Sequence, residues 1–151
     1  MAINTIKLKN YSDVFLELKA HDAFYPGTLL LLNADGEVAA HNDDNPANLI
    51  PMFALEDALQ GKSIDAPFAA GDPVQCWIPG RGDEVYANLE DGIHVAVGDF
   101  LGPNGDGALH TYASGAPVGI ALEHLDLSGS SGTEDSIAPL GYRRRIKIRI
   151  V

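Results

Sequence analysis

Gly27-Thr28-Leu29-Leu30-Leu31-Leu32-Asn33-Ala34-Asp35-Gly36 returns later in the chain as Gly98-Asp99-Phe100-Leu101-Gly102-Pro103-Asn104-Gly105-Asp106-Gly107. Gly, Leu, Asn, Asp and Gly recur at the same spacing, at an offset of 71 residues. Each copy leads to a second shared segment, Met52-Phe53-Ala54-Leu55-Glu56 and then Gly119-Ile120-Ala121-Leu122-Glu123, offset by 67 residues, so the intervening loop is four residues shorter in the second copy. Two copies are too few for a solenoid and fit two related hairpin units in one β domain. Each copy reads as a hairpin. A short apolar run of strand length ends at Asp-Gly, a pair that tolerates the positive φ of a tight turn.

Working outward, the remaining segments have the same character. Val14 to Leu18, Val74 to Ile78, Glu84 to Leu89 and Ile93 to Val97 are strand-like runs. They are punctuated by Tyr25-Pro26-Gly27, Pro79-Gly80-Arg81-Gly82-Asp83 and Asp91-Gly92, where Pro fixes φ and Gly permits a reversed backbone. Phe53 to Leu59 alone suits a helical turn or a strand. Its counterpart Pro117 to Leu122 carries β-branched residues and a Gly, so both are read as strands. Arg145-Ile146-Lys147-Ile148-Arg149-Ile150 alternates strictly, with Ile on one face and cations on the other. An acidic surface, on this protein or on a partner, is the counterpart of those cations. Ser128 to Asp135 has the composition of a loop. The fold expected is all-β: a compact β-sandwich or barrel of short antiparallel strands with two related hairpin units and an extended N-terminal arm. Residues 1–12 form the arm, where Ile6-Lys7-Leu8-Lys9 alternates as an arm or short edge strand would, and residues 13–151 a single β domain.

Charge is segregated. The net charge is −11, yet half of the ten Lys and Arg residues lie in the last nine positions. Between residues 20 and 142 only Lys62 and Arg81 are basic, against 19 acids. An acidic body lacks the cationic face that broad phosphate-backbone binding needs, which argues against direct nucleic-acid binding and favours a cationic or protein partner. No apolar run approaches the length of a membrane helix, and no basic-then-apolar leader opens the chain. One cysteine, Cys76, leaves no internal disulfide framework.

The candidate chemistry dissolves on inspection. Gly61-Lys62-Ser63 ends like a phosphate-binding loop, but Glu56 stands where that loop needs its first Gly. Asn33 to Gly36 mimics the middle of a calcium loop, but Asn42 falls where a carboxylate is required. His21, His41, His94, His110 and His124 are scattered without metal-ligand spacing. Cys76, beside Trp77 in a strand, reads as a packing residue, and Arg81-Gly82-Asp83 as hairpin-tip chemistry. No catalytic, cofactor-binding or metal residues are assigned, and the chain is not expected to be an enzyme.

The Gly-Asp strand starts at Val97-Gly98-Asp99-Phe100-Leu101 and Gly71-Asp72-Pro73-Val74, the Pro117 to Glu123 segment and the closing Arg145-Ile146-Lys147-Ile148 strand resemble the small capsid decoration (cement) proteins of tailed bacteriophages. The resemblance covers most of residues 25–151 and is one of strands and turns. It implies a non-enzymatic virion protein, assembled in the host cytoplasm, that binds the outer surface of the expanded head. There it would stabilise junctions between subunits of the major capsid protein. It also implies a homo-oligomer, a homotrimer before a homodimer, with neither cofactor nor membrane. By that analogy Ile6, Lys7, Leu8, Lys9, Arg143, Arg144 and Arg145 are the expected capsid contacts. The alternatives are another phage structural component, such as a tail or head-completion subunit, and a non-enzymatic β-fold binding module.

Overall fold

A computed structural model describes residues 3–10, 14–128 and 144–151. The architecture is nearly all-β. The strands are β1 (Lys7–Lys9), β2 (Phe15–Lys19), β3 (Leu30–Leu32), β4 (Val38–Ala40), β5 (Phe53–Ala54), β6 (Pro73–Trp77), β7 (Glu84–Asn88), β8 (His94–Val95), β9 (Phe100–Pro103), β10 (Leu109–Thr111), β11 (Gly119–Ala121), β12 (Leu125–Asp126) and β13 (Arg145–Ile150). Among the described residues one 3-10 turn covers Ala58–Gln60. The strand expected over residues 93–97 is confined to β8. Most of the loop expected over Ser128 to Asp135 lies outside the described residues.

The repeat in the sequence is a repeat in the structure, hydrogen bond for hydrogen bond. β3 pairs with β4 and β9 with β10, both antiparallel. In the first turn Asn33 Oδ1 accepts the N–H groups of Asp35 and Glu37, each at 3.0 Å. In the second, Asn104 Oδ1 accepts those of Asp106 and Ala108 at 3.0 and 3.2 Å. A short side-chain carbonyl that caps its own turn in this way is why Asn opens both. The Gly27 N–H donates to Ala54 O and the Gly98 N–H to Ala121 O. The Ala54 and Ala121 N–H groups return to Thr28 O and Asp99 O.

The equivalence runs well beyond the segments whose residues match. Ala54 pairs with Cys76 as Ala121 pairs with Ile148. Leu16 pairs with Cys76 as Val85 pairs with Ile148. Ala20 forms a parallel bridge to Val38, and Leu89 one to Leu109. The pair Phe24 and Phe68 corresponds to Val95 and Leu125. Residues 14–78 and the described residues of 83–128 and 144–151 are therefore two copies of one five-stranded unit. In the second copy its order is β7-β13-β11-β9-β10, within a six-stranded sheet that begins with β1. In the first it is β2-β6-β5, continued to β3-β4 through the Leu29–Phe53 bridge.

Strand alternation then decides how the copies assemble. In the first, Leu30, Val38, Ala54, Val74 and Cys76 face one way and pack with Phe24 and Phe68. Their partners along each strand, Leu29, Phe53 and Trp77, face the other way. These three share a core with Val85, Leu101, Ala121, Ile146 and Ile148 of the second copy. The copies stack in series: the back of the first sheet lies on the front of the second. Burial of Trp77, Phe53, Leu29 and their neighbours, all at 0% exposure, is the main driving force for that stack.

Residues 1–12 do not form a free arm where they are described. Lys7–Lys9 pairs with β7 across a register shift, and Ile6 is fully buried in the shared core. The edge-strand reading of Ile6-Lys7-Leu8-Lys9 is the one the structure follows, because an isoleucine at the sheet border covers apolar surface that water would otherwise meet.

Candidate functional site

The expected contact residues separate into two kinds. Ile6 is a core residue; its carbonyl accepts the Tyr86 N–H at 2.8 Å and its N–H donates to Glu56 Oε1 at 3.0 Å. Lys7 is half-buried, with its ammonium 4.6 Å from the centre of the Phe15 ring. Leu8 is half-buried and Lys9 exposed. Arg143 lies outside the described residues, and Arg144 is half-buried with its carbonyl accepting the Leu89 N–H.

Arg145 is not a surface residue. It is 9% exposed, and its guanidinium donates to Pro26 O at 3.1 and 3.0 Å and to Ile64 O at 2.7 Å. Burial pushes its pKa down, opposed by the Asp65 carboxylate 3.6 Å away. It ties the last strand to two loops of the first copy. Of the other cations of β13, Arg149 pairs with Glu84 at 3.1 Å, while Lys147 meets Glu123 only through its main-chain N–H, which donates to Glu123 Oε1.

The side chains that mimic active groups are spent on structure. Cys76 is fully buried, its thiol pushed up to about 11 by burial, so it holds its proton at neutral pH. Lys62 sits 2.8 Å from Asp72 Oδ2 and over the Phe68 ring, which holds the Asp72 carboxyl below the usual range. Asp83 is buried with its Oδ2 accepting the Gly80 N–H at 2.8 Å, so the Arg81-Gly82-Asp83 tip does not display its carboxylate. The fold does unite His94 and His124, whose rings meet edge-on at 4.8 Å beside Asp126. Sequence spacing could not reveal that pair, because β8 and β12 meet only in the folded sheet. No group of three metal-ligating side chains gathers among the described residues.

What the sequence did not disclose is a groove. It has a volume of about 670 Å³ and runs over the front of the first copy, walled by Leu16, Leu18, Leu32, Ile50, Met52 and Ile78, with His41 and Asn48 as its polar members. Burial pushes the His41 pKa down. Beside the groove, β2 ends its sheet: it pairs with β6 and has no strand on its other edge among the described residues. The equivalent edge of β7 carries β1.

No helix among the described residues is long and apolar enough to cross a membrane. No protein-family model matches the chain, and no curated protein matches it. The class defined by fold and site is thus a serially duplicated β domain with an apolar groove and a basic sheet edge.

Proposed function

We propose that the chain is a virion structural protein that binds the outer surface of the expanded phage head and stabilises junctions between major capsid protein subunits. The observation that carries this reading is the β1 edge. A terminal strand bearing Lys7 and Lys9 borders an otherwise acidic body. Such an edge accepts a partner strand through main-chain hydrogen bonds, and its ammonium groups complement an acidic partner surface. Lys7, Leu8 and Lys9 make the contact, and Ile6 anchors the strand behind it. Each contact is weak, and repetition over a lattice of identical sites makes the assembly strong. The strand-and-turn resemblance to decoration proteins supports the same reading.

The test is co-sedimentation with expanded, undecorated heads, with unexpanded shells as control. The protein should bind expanded heads saturably, and Lys7→Glu with Lys9→Glu should weaken that binding; thermal unfolding of the variant separates this loss from the loss of the Lys7 contact with the Phe15 ring. Binding of the double variant equal to that of the parent would refute the assignment of this edge.

A further inference from the structure

The two copies differ at one sheet edge. The Ile78 N–H donates to Val14 O at 3.0 Å. The alternation of an antiparallel ladder then commits Val14, Leu16 and Leu18 to β6 and turns the N–H groups of Phe15, Glu17 and Lys19 outward. In the second copy the counterparts of Glu17 and Lys19 are Tyr86 and Asn88. Their N–H groups donate to Ile6 O at 2.8 Å and to Gly27 O at 3.0 Å. Among the described residues, the N–H groups of Glu17 and Lys19 meet no backbone acceptor. Val85, beside β1, is 0% exposed, whereas its counterpart Leu16 is 41% exposed.

The duplication shows what such an edge takes. On β7 it is β1, an antiparallel strand whose Ile6 shares a core with Val85 and Ala87 and whose next residue is a lysine. At the equivalent place on β2 an apolar side chain would lie against Leu16 and Leu18. The edge is open to such a strand. β2 keeps register with β6 over all five residues and contains no proline, so neither of two devices that commonly blunt an edge is present. Charge selects the residues between the apolar ones. Residues 14–78 hold ten acids against Lys19 and Lys62, and Glu17 stands on the edge itself. We infer that the β2 edge binds an extended segment of a partner protein, with apolar and basic residues in alternation, added as an antiparallel strand through the N–H groups of Glu17 and Lys19.

The alternating segments of this chain are already spent. β1 is held by its own core through Ile6, at 0% exposure, and β13 lies between β7 and β11 inside its sheet. The segment therefore comes from a different protein. Its basic residues meet an acidic surface, so salt weakens the contact. The inference rests on the duplication and on charge, and stands independently of the virion reading, which uses the β1 edge of the other copy.

The experiment is amide hydrogen exchange by NMR on the full chain, with a capped peptide of alternating isoleucine and lysine as the probe. Saturating peptide should slow exchange at Glu17 and Lys19 on the order of tenfold or more, at low salt before high. A peptide of alternating isoleucine and glutamate should bind on the order of tenfold more weakly. Glu17→Pro removes the outward N–H without breaking a bond to β6, whereas Glu17→Ala keeps that N–H and loses only the carboxylate. The proline variant should therefore bind the lysine peptide on the order of tenfold more weakly than the alanine variant. Near-ultraviolet circular dichroism checks that both stay folded. Exchange at Glu17 and Lys19 that the peptide leaves unchanged, or equal binding by the two variants, would overturn the inference. So would protection of these amides without peptide: in the dilute monomer it would mean that the chain fills its own edge, and if it grew with protein concentration it would assign the edge to a second copy. Head co-sedimentation tests the virion reading separately.

Discussion

The guanidinium of Arg145 donates two hydrogen bonds to the carbonyl oxygen of Pro26, at 3.1 and 3.0 Å, across the junction of the two copies. The same side chain satisfies Ile64 O. A cation on the polar side of an alternating strand thereby becomes an internal strut. Arg145→Met keeps much of the apolar stem but leaves two buried carbonyls unpaired, and should cost about 2–4 kcal/mol. Chemical denaturation measures this. Arg145→Lys should recover part of the loss, because one ammonium cannot reproduce the planar fork. A methionine variant as stable as the parent would show that Arg145 carries no structural load.

The glycines that close the two matched turns, Gly36 and Gly107, differ in surroundings. Both have positive φ, 76° and 91°. A Cβ on Gly36 would meet nothing within 4 Å, whereas one on Gly107 would lie 2.6 Å from Thr28 Cγ2 and 2.9 Å from Ala40 Cβ. Gly36→Ala should cost about 1 kcal/mol, for backbone strain alone. Gly107→Ala should cost more, because overpacking adds about 1–3 kcal/mol. Equal melting temperatures for the two variants would contradict that difference.

Ile6 tests whether the N-terminal segment is dispensable. Its side chain is fully buried, and its main chain bonds to Tyr86 and Glu56. Ile6→Ala should destabilise by about 2–5 kcal/mol. Deletion of residues 2–12 should cost at least as much, so loss of head binding by that deletion would report lost stability as well as lost contact. Thermal unfolding of the point variant is the check, and an unchanged transition would restore the free-arm reading.

His21 and His41 should titrate on opposite sides of the ordinary 6.5. The Glu37 carboxylate, 3.0 Å from His21 Nδ1, raises the first, and burial lowers the second. The His21 contribution to stability is present in acid and is lost as pH rises through its raised pKa. The His41 contribution is present above the ordinary histidine pKa and is lost as pH falls through its lowered one. NMR titration of the two imidazoles separates them, and coincident midpoints would refute both assignments.

The matched turns were legible because Asn, Asp and Gly are dictated by local backbone geometry. Asn33 and Asn104 must each cap their own turn, and Gly36 and Gly107 must each take positive φ. The rest of the duplication was not legible. A core position asks only for an apolar group of suitable size, so Cys76 answers to Ile148, Ala20 to Leu89 and Leu16 to Val85 without resemblance. The role of Arg145 was hidden for a related reason. Alternation places it on the cationic face of its strand, and only the approach of the loops at Pro26 and Ile64 encloses it.

The sequence by itself determined the local terms: the all-β class, the turns, the inward isoleucines of β13 and the acidic body between basic ends. Each depends on backbone conformation or on the period of a strand, which neighbouring residues set among themselves. Tertiary structure decided which sheet face lies on which, that Ile6 completes a core, that β7 has an edge partner while β2 has none among the described residues, and that Leu16, Leu32 and Ile50 stand exposed. Those outcomes depend on hydrophobic burial between segments far apart in the chain, and burial is non-directional. It rewards whichever apolar faces the topology brings together, and no short stretch of residues specifies that choice.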